Sequence, residues 1–318
     1  MKSFVLKLVS FLCFSLLLSM GLLFYYSTSH DIEHDLPAPN LSNNLSLNEK
    51  LLFLRKHAFQ KNILAIGSSM ALNNLHSETI VEKFQDTSYL NAASWGSSMK
   101  DNFLLIKTLA KIHHPHTLMI SSYNVDFTQE DKIVKWQLLE DYLTSSQNTL
   151  WYYHLRCFNL SYYEKNIDYV KKIRTNSHHR DYMGLDAYGA VAFDRQHFTI
   201  NPKDWGDDLL DRKPLLHQYA YLDSIALFCK EQHMTLLFFQ SPVRKGLYQK
   251  FSKEKLQKHH AHISRLQAIL HKHDVSFVNT EQVLWDDSLF VDAIHLNADG
   301  AKLYTAYCLG IIASLKKP

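Results

Sequence analysis

Asn62-Ile63-Leu64-Ala65-Ile66-Gly67-Ser68-Ser69 is a short apolar run that stops at a glycine and turns into two serines. A run of this length, bounded by a turn residue, is the signature of a strand buried on both faces. Beyond it the pattern alternates. Residues 70–84 have helical spacing, 88–93 extended, 99–112 helical and 117–122 extended. Further on, 215–232 reads as a helix, 235–240 as an apolar strand, 253–273 as a helix, 276–279 as a strand and 297–315 as a closing helix. Strand–helix alternation predicts an α/β fold with a central parallel sheet covered on both faces. Reactive groups in such sheets gather beyond the carboxyl ends of the strands.

The strand ends are where the chemistry-bearing residues fall. Gly67-Ser68-Ser69 suits a tight turn into a helix whose free N–H groups can face a developing oxyanion, although serine is also an ordinary helix cap. Ala93-Ser94-Trp95-Gly96-Ser97-Ser98 repeats the arrangement after the second strand. Ser121-Ser122-Tyr123-Asn124 ends the third, and an asparagine amide there can donate where a backbone N–H cannot reach. Asp292-Ala293-Ile294-His295 lies in a loop before the last helix. A hydroxyl is a poor nucleophile at neutral pH, so a serine needs a base such as His295, and the base needs a carboxylate such as Asp292 to orient it. Together these residue types point to acyl transfer through serine.

The order Gly67-Ser68-Ser69, Gly96, Asn124, Asp292-Ala-Ile-His295 resembles the four blocks of the SGNH (GDSL-like) hydrolase superfamily. The resemblance covers roughly residues 60–128 and 215–315. It implies a flavodoxin-like three-layer sandwich with Ser69 as nucleophile. The Ser69 N–H, Gly96 N–H and Asn124 amide would form the oxyanion hole, and Asp292 and His295 would complete the triad. The usual aspartate of the first block is Ser68 here, and Met70 replaces the usual leucine, so Ser68 stays open as a second candidate nucleophile. A Gly-Ser-Ser block behind an N-terminal apolar segment looks more like the envelope branch of the superfamily. That branch includes the D-alanyl transfer protein of teichoic acid modification and the anchored partners of membrane-bound O-acyltransferases. The resemblance thus implies a membrane-anchored serine acyltransferase or esterase that O-acylates or D-alanylates an envelope glycan or lipid, beside a membrane-bound O-acyltransferase. The competitors are a plain tethered carbohydrate esterase and a non-catalytic scaffold for such a transferase.

Residues 8–26 are nearly all apolar and carry no charge. At ~1.5 Å per residue they span a bilayer core of roughly 30 Å. Lys2 and Lys7 precede them and Asp31, Glu33 and Asp35 come after, which places the N-terminus inside. The expectation is a single-pass anchor in the bacterial inner (cytoplasmic) membrane, within residues 1–27, holding a periplasmic domain. A cleaved signal peptide is the rival, disfavoured by the length of the run and the lack of an Ala-x-Ala site. Residues 28–44 read as a tether, and 45–318 as the domain, interrupted by an aromatic-rich helical and irregular insertion at about 130–214.

With 318 residues, 46% of them hydrophobic, the chain can bury a sizeable core. A net charge of +3 is too mild and dispersed for a nucleic-acid partner. Cys157, Cys229 and Cys308 are odd in number and far apart, consistent with buried free thiols or one disulfide of undeducible pairing. No cofactor is expected. The clusters His113-His114-Pro115-His116 and His259-His260-Ala261-His262 lack a carboxylate or cysteine at ligand spacing, so no metal is expected either. Arg244, Lys245 and Lys250 read as solvated charge or a contact for an anionic polymer. The aromatics from Trp136 to Tyr163 read as helix core or a surface for sugars or a membrane partner.

Overall fold

The computed structural model describes residues 2–29, 32–57, 59–145, 148–177, 179, 181–193, 212–281 and 283–315. Five strands, β1 (Ile63–Ile66), β2 (Tyr89–Asn91), β3 (Thr117–Ser122), β4 (Thr235–Gln240) and β5 (Ser276–Val278), form one sheet in the order β2-β1-β3-β4-β5. Every neighbouring pair is parallel. This is the flavodoxin-like order, in which the chain reverses its direction of travel across the sheet between β1 and β3.

The strand residues alternate between two cores. Leu64, Ile66, Leu118, Ile120, Leu236 and Phe238 face one. Helices α3 (Leu45–Lys56) and α6 (Met99–His113) cover that side, together with a helix at Leu216–Glu231. Ile63, Ala65, Met119, Leu237 and Phe239 face the other, beneath α4 (Ser69–Asn74), α5 (Ser77–Phe84) and the final helix Ala298–Leu315. Burial on both faces explains why these strands are continuous apolar runs. The result is the three-layer α/β sandwich expected from the alternation.

Helix α1 (Lys2–Ser29) contains a stretch, Lys2–Leu22, with mean hydropathy 2.1 and no buried share, long and apolar enough to cross a membrane. The tether reading does not hold throughout residues 28–44. Ala38 and Leu41 are buried, with the Ala38 N–H donating to Glu49 (2.8 Å) and Tyr162 donating to the Ala38 carbonyl (2.8 Å). Arg174 from the insertion holds Glu49 at 2.6 Å. From Ala38 onward the segment packs into the domain, because its apolar residues and backbone donors find partners there.

The helix expected at 70–84 is two helices. His76 caps α5 by accepting from the Thr79 N–H, which breaks the run at Leu75. The insertion supplies helices Trp136–Thr144, Leu150–Arg156 and Leu160–Thr175, then an irregular segment; residues 194–211 lie outside the described residues. Tyr142 and Tyr153 are core, with the Arg55 guanidinium over both rings at 4.8 and 5.0 Å. Cys157, Cys229 and Cys308 are buried free thiols.

Candidate active site

The site lies at the carboxyl edge of β1 and β3, where the sheet order reverses. Gly67 leaves β1 with φ of 151°, and a Cβ there would sit 2.8 Å from the Ala71 Cβ and 3.2 Å from the Ser121 carbonyl oxygen. Only glycine lets α4 start this close to β3. Ser68 caps α4: its buried hydroxyl accepts from the Met70 N–H at 3.1 Å and faces the Asp126 carboxylate. Ser69 is the first residue of α4 and is partly exposed. The two serines therefore differ in kind. One hydroxyl is engaged inside the protein, and the other belongs to a partly exposed residue at the head of α4.

Asp292 and His295 form a close pair. The Asp292 carboxylate accepts from His295 Nδ1 at 2.5 Å and from the N–H groups of Ile294 and His295 at 2.9 and 2.8 Å. Burial pushes this carboxyl up, but the charge and hydrogen bond of His295 and the two N–H groups outweigh it and hold it below the usual carboxylate range. The pair engages Nδ1, so a proton taken from a serine would go to Nε2. Phe193, at the end of the described insertion, sets its ring edge-on to His295 with centroids 6.4 Å apart.

Two adjacent asparagines join these remote blocks. Asn74, fully buried on α4, donates to the Ile294 carbonyl (3.2 Å) and accepts from the Leu296 N–H (2.9 Å). It therefore grips the backbone on either side of His295 from the helix that begins at Ser69. Asn73 accepts from the Trp95 indole N–H (3.1 Å), beside Gly96. Ser94, in the same turn, donates its N–H to the Gly67 carbonyl at 3.1 Å. Beneath them Met70, Tyr123, Val125, Ala293 and Ile294 share one apolar cluster. Blocks from β1, β3 and the last loop thus meet at one edge.

Gly96 adopts φ of 64°, the left-handed turn that favours glycine, and lies near the Gln129 amide. Asn124 opens a short 3-10 turn, Asn124–Thr128, after β3. It is 8% exposed, and its side-chain oxygen is buried without a hydrogen-bond partner among the described residues.

Sequence reasoning missed Asn74 and Asp126. Asp126 is buried; burial raises its pKa to about 6, against the Ser68 and Ser122 hydroxyls, the Tyr123 N–H and the nearby His295, which favour its charged form. Its place two residues after Asn124 was the available signal. Arg244, read as solvated charge or a polymer contact, is largely buried and pairs with Asp287 at 2.9 Å. His113 is buried with Nδ1 3.0 Å from the Phe59 carbonyl oxygen. His262 is buried against the Tyr219 hydroxyl at 2.7 Å.

No protein-family profile matches the chain, and no curated protein matches it in sequence. Solved structures do match. A lipase/acylhydrolase from Enterococcus faecalis superposes with a TM-score of 0.41 at 10% identity, covering 81% of this chain and 98% of that one. Est24, a carbohydrate acetylesterase from Sinorhizobium meliloti, gives 0.39 at 10% identity over 80% of this chain and 100% of its own. An inhibitor-bound aryl esterase from M. smegmatis gives 0.39 at 10% identity, covering 80% and 99%. At such scores the functional argument rests on the side chains of this chain.

Proposed function

We propose that this protein is an SGNH-type serine acyltransferase or esterase, working through an acyl-serine. His295 takes the Ser69 hydroxyl proton as Oγ bonds to the acyl carbon. The Ser69 N–H, Gly96 N–H and Asn124 amide hold the resulting oxyanion. The intermediate collapses, the leaving group departs with the proton from His295, and a second hydroxyl or water releases the acyl group by the reverse sequence. The observation that carries the reading is the Asn74 grip. It ties the Asp292–His295 pair, already 2.5 Å apart, to the helix headed by Ser69. The partial exposure of Ser69, beside the inward commitment of Ser68, favours Ser69 as nucleophile.

With α1 as a membrane anchor, the domain faces the envelope and passes acyl groups to a glycan or lipid hydroxyl beside a membrane-bound O-acyltransferase. The test is turnover of p-nitrophenyl acetate by the detergent-solubilised full chain, with and without an envelope glycan as acceptor. Ser69→Ala and His295→Ala are expected to lower turnover more than ~10²-fold, and added glycan to gain acetyl groups. Release to water alone would identify a tethered esterase. Undiminished turnover in Ser69→Ala would remove the acyl-serine. A Ser69→Ala protein that still supports envelope modification in cells would be a scaffold.

A further inference from the structure

Lys132 is a lysine where the fold has little room for one. Its side chain is 5% exposed, and it lies in the segment just beyond the Asn124 turn. Its ammonium donates to the Ser97 hydroxyl at 3.0 Å. Ser97 is next to Gly96 and shares a 2.9 Å hydrogen bond with Ser94, whose N–H donates to the Gly67 carbonyl. On the other side the ammonium lies 3.9 Å from Asp101, and the Lys132 N–H also donates to that carboxylate at 3.2 Å. Asp101 is the acidic member of the capping box that begins α6 directly after the Gly96 turn. Asp126, on the Asn124 turn, faces Lys132 electrostatically.

One buried amine is therefore shared by the three turns that would surround an oxyanion. It reaches the Gly67 turn through Ser97 and Ser94, the Gly96 turn directly through Ser97, and the Asn124 turn through Asp126. Burying an ammonium is costly unless it is paired, and Asp101 and Asp126 are the counter-charges. Asp131, next in sequence, is engaged elsewhere: it pairs with Lys100 at 3.0 Å, accepts from Ser98 and Gln218, and lies 3.7 Å from His217.

We propose that Lys132 is a positioning residue for acyl transfer at this site. Its charge holds the Gly96 and Asn124 turns in register with the Ser69 turn and adds a positive field where the oxyanion forms. The inference rests on the acyl-serine reading. Preorganised positive charge in a buried site acts most strongly on developing negative charge. A charge with this role gives the reaction a basic limit. Burial lowers the Lys132 pKa to about 8, with Asp101 and Asp126 opposing the fall. The amine is charged below that pH and neutral above it, so the rate falls as pH rises through about 8. Arginine keeps its charge across this range.

The experiment measures the rate of fluorophosphonate labelling of the detergent-solubilised full chain from pH 6 to pH 10, with thermal melting as a control for folding. Lys132→Met is expected to label about tenfold more slowly at pH 7 while melting cooperatively. Lys132→Arg is expected to restore most of the rate and to abolish the fall above pH 8, an effect that a purely structural lysine would not produce. Wild-type rates in Lys132→Met, or a Lys132→Arg profile that falls at the same pH as the wild type, would overturn the proposal. If the Met variant does not fold, the Arg profile alone decides. A wild type that takes no label on Ser69 would instead defeat the acyl-serine reading.

Discussion

Replacing Asn74 by alanine separates the support of the site from its chemistry. The side chain is fully buried and makes four contacts: the Leu296 N–H at 2.9 Å, the Ile294 carbonyl at 3.2 Å, and weaker ones to the Ser241 hydroxyl at 3.4 Å and the Met70 sulfur at 3.8 Å. Each good hydrogen bond is worth about 1 kcal/mol net, and each buried backbone group left without a partner costs about 1–3 kcal/mol. Two orphaned backbone groups give an expected loss of about 3 kcal/mol. Urea denaturation should show it as a lower midpoint with an unchanged slope. The same loss frees the backbone on both sides of His295. A displacement of about 1 Å at a reacting group costs on the order of 10² in rate, so kcat for ester turnover should fall about 10²-fold with KM little changed. Asn74→Asp keeps the acceptor for Leu296 and should fall between. If Asn74→Ala loses the expected stability but retains full kcat, α4 does not position the imidazole, and the link between Ser69 and His295 fails.

Burial and backbone strain set two further outcomes. Burial lowers the pKa of His262 to about 3, with the charges of His259 and Arg265 adding to the effect. The unfolded chain protonates this histidine near pH ~6.5, so stability is lost as pH falls below that value. Between pH ~6.5 and ~4 this residue alone should remove on the order of 3 kcal/mol, and His262→Gln should flatten the plot of urea midpoint against pH; an unchanged slope would clear His262. Gly67→Ala puts a Cβ 2.8 Å from Ala71 in a φ that disfavours side chains. It should cost at least about 2 kcal/mol by thermal melting and slow turnover with it; wild-type melting would show that the turn relaxes freely.

The sheet was legible because its strands are buried on both faces. The runs at 117–122 and 235–240 coincide with β3 and β4, since an apolar stretch between turn residues has little else to become. The blocks at the strand ends were legible as local patterns: glycine at a tight turn, serine at a helix start, Asp292 three residues before His295. What joins them was not. Asn74 meets Ile294 and Leu296 across more than two hundred residues, and its neighbourhood reads as an ordinary helix. The His76 cap at the head of α5 makes two helices of the stretch expected as one. Ala38 and Leu41 looked like tether because the segment is polar and proline-rich; only the fold supplies Glu49 and Tyr162 to hold it. Lys132 carries no local mark of burial, because its partners Ser97 and Asp101 lie 35 and 31 residues away in the sequence.

The most direct test of the account is the identity of the residue that bears the acyl group. The full-length protein, reacted with a fluorophosphonate, digested and mapped by mass spectrometry, should carry a single adduct on Ser69 that disappears in Ser69→Ala and His295→Ala and persists in Ser68→Ala. An adduct on Ser68, or labelling of Ser69 that is indifferent to His295, would contradict it.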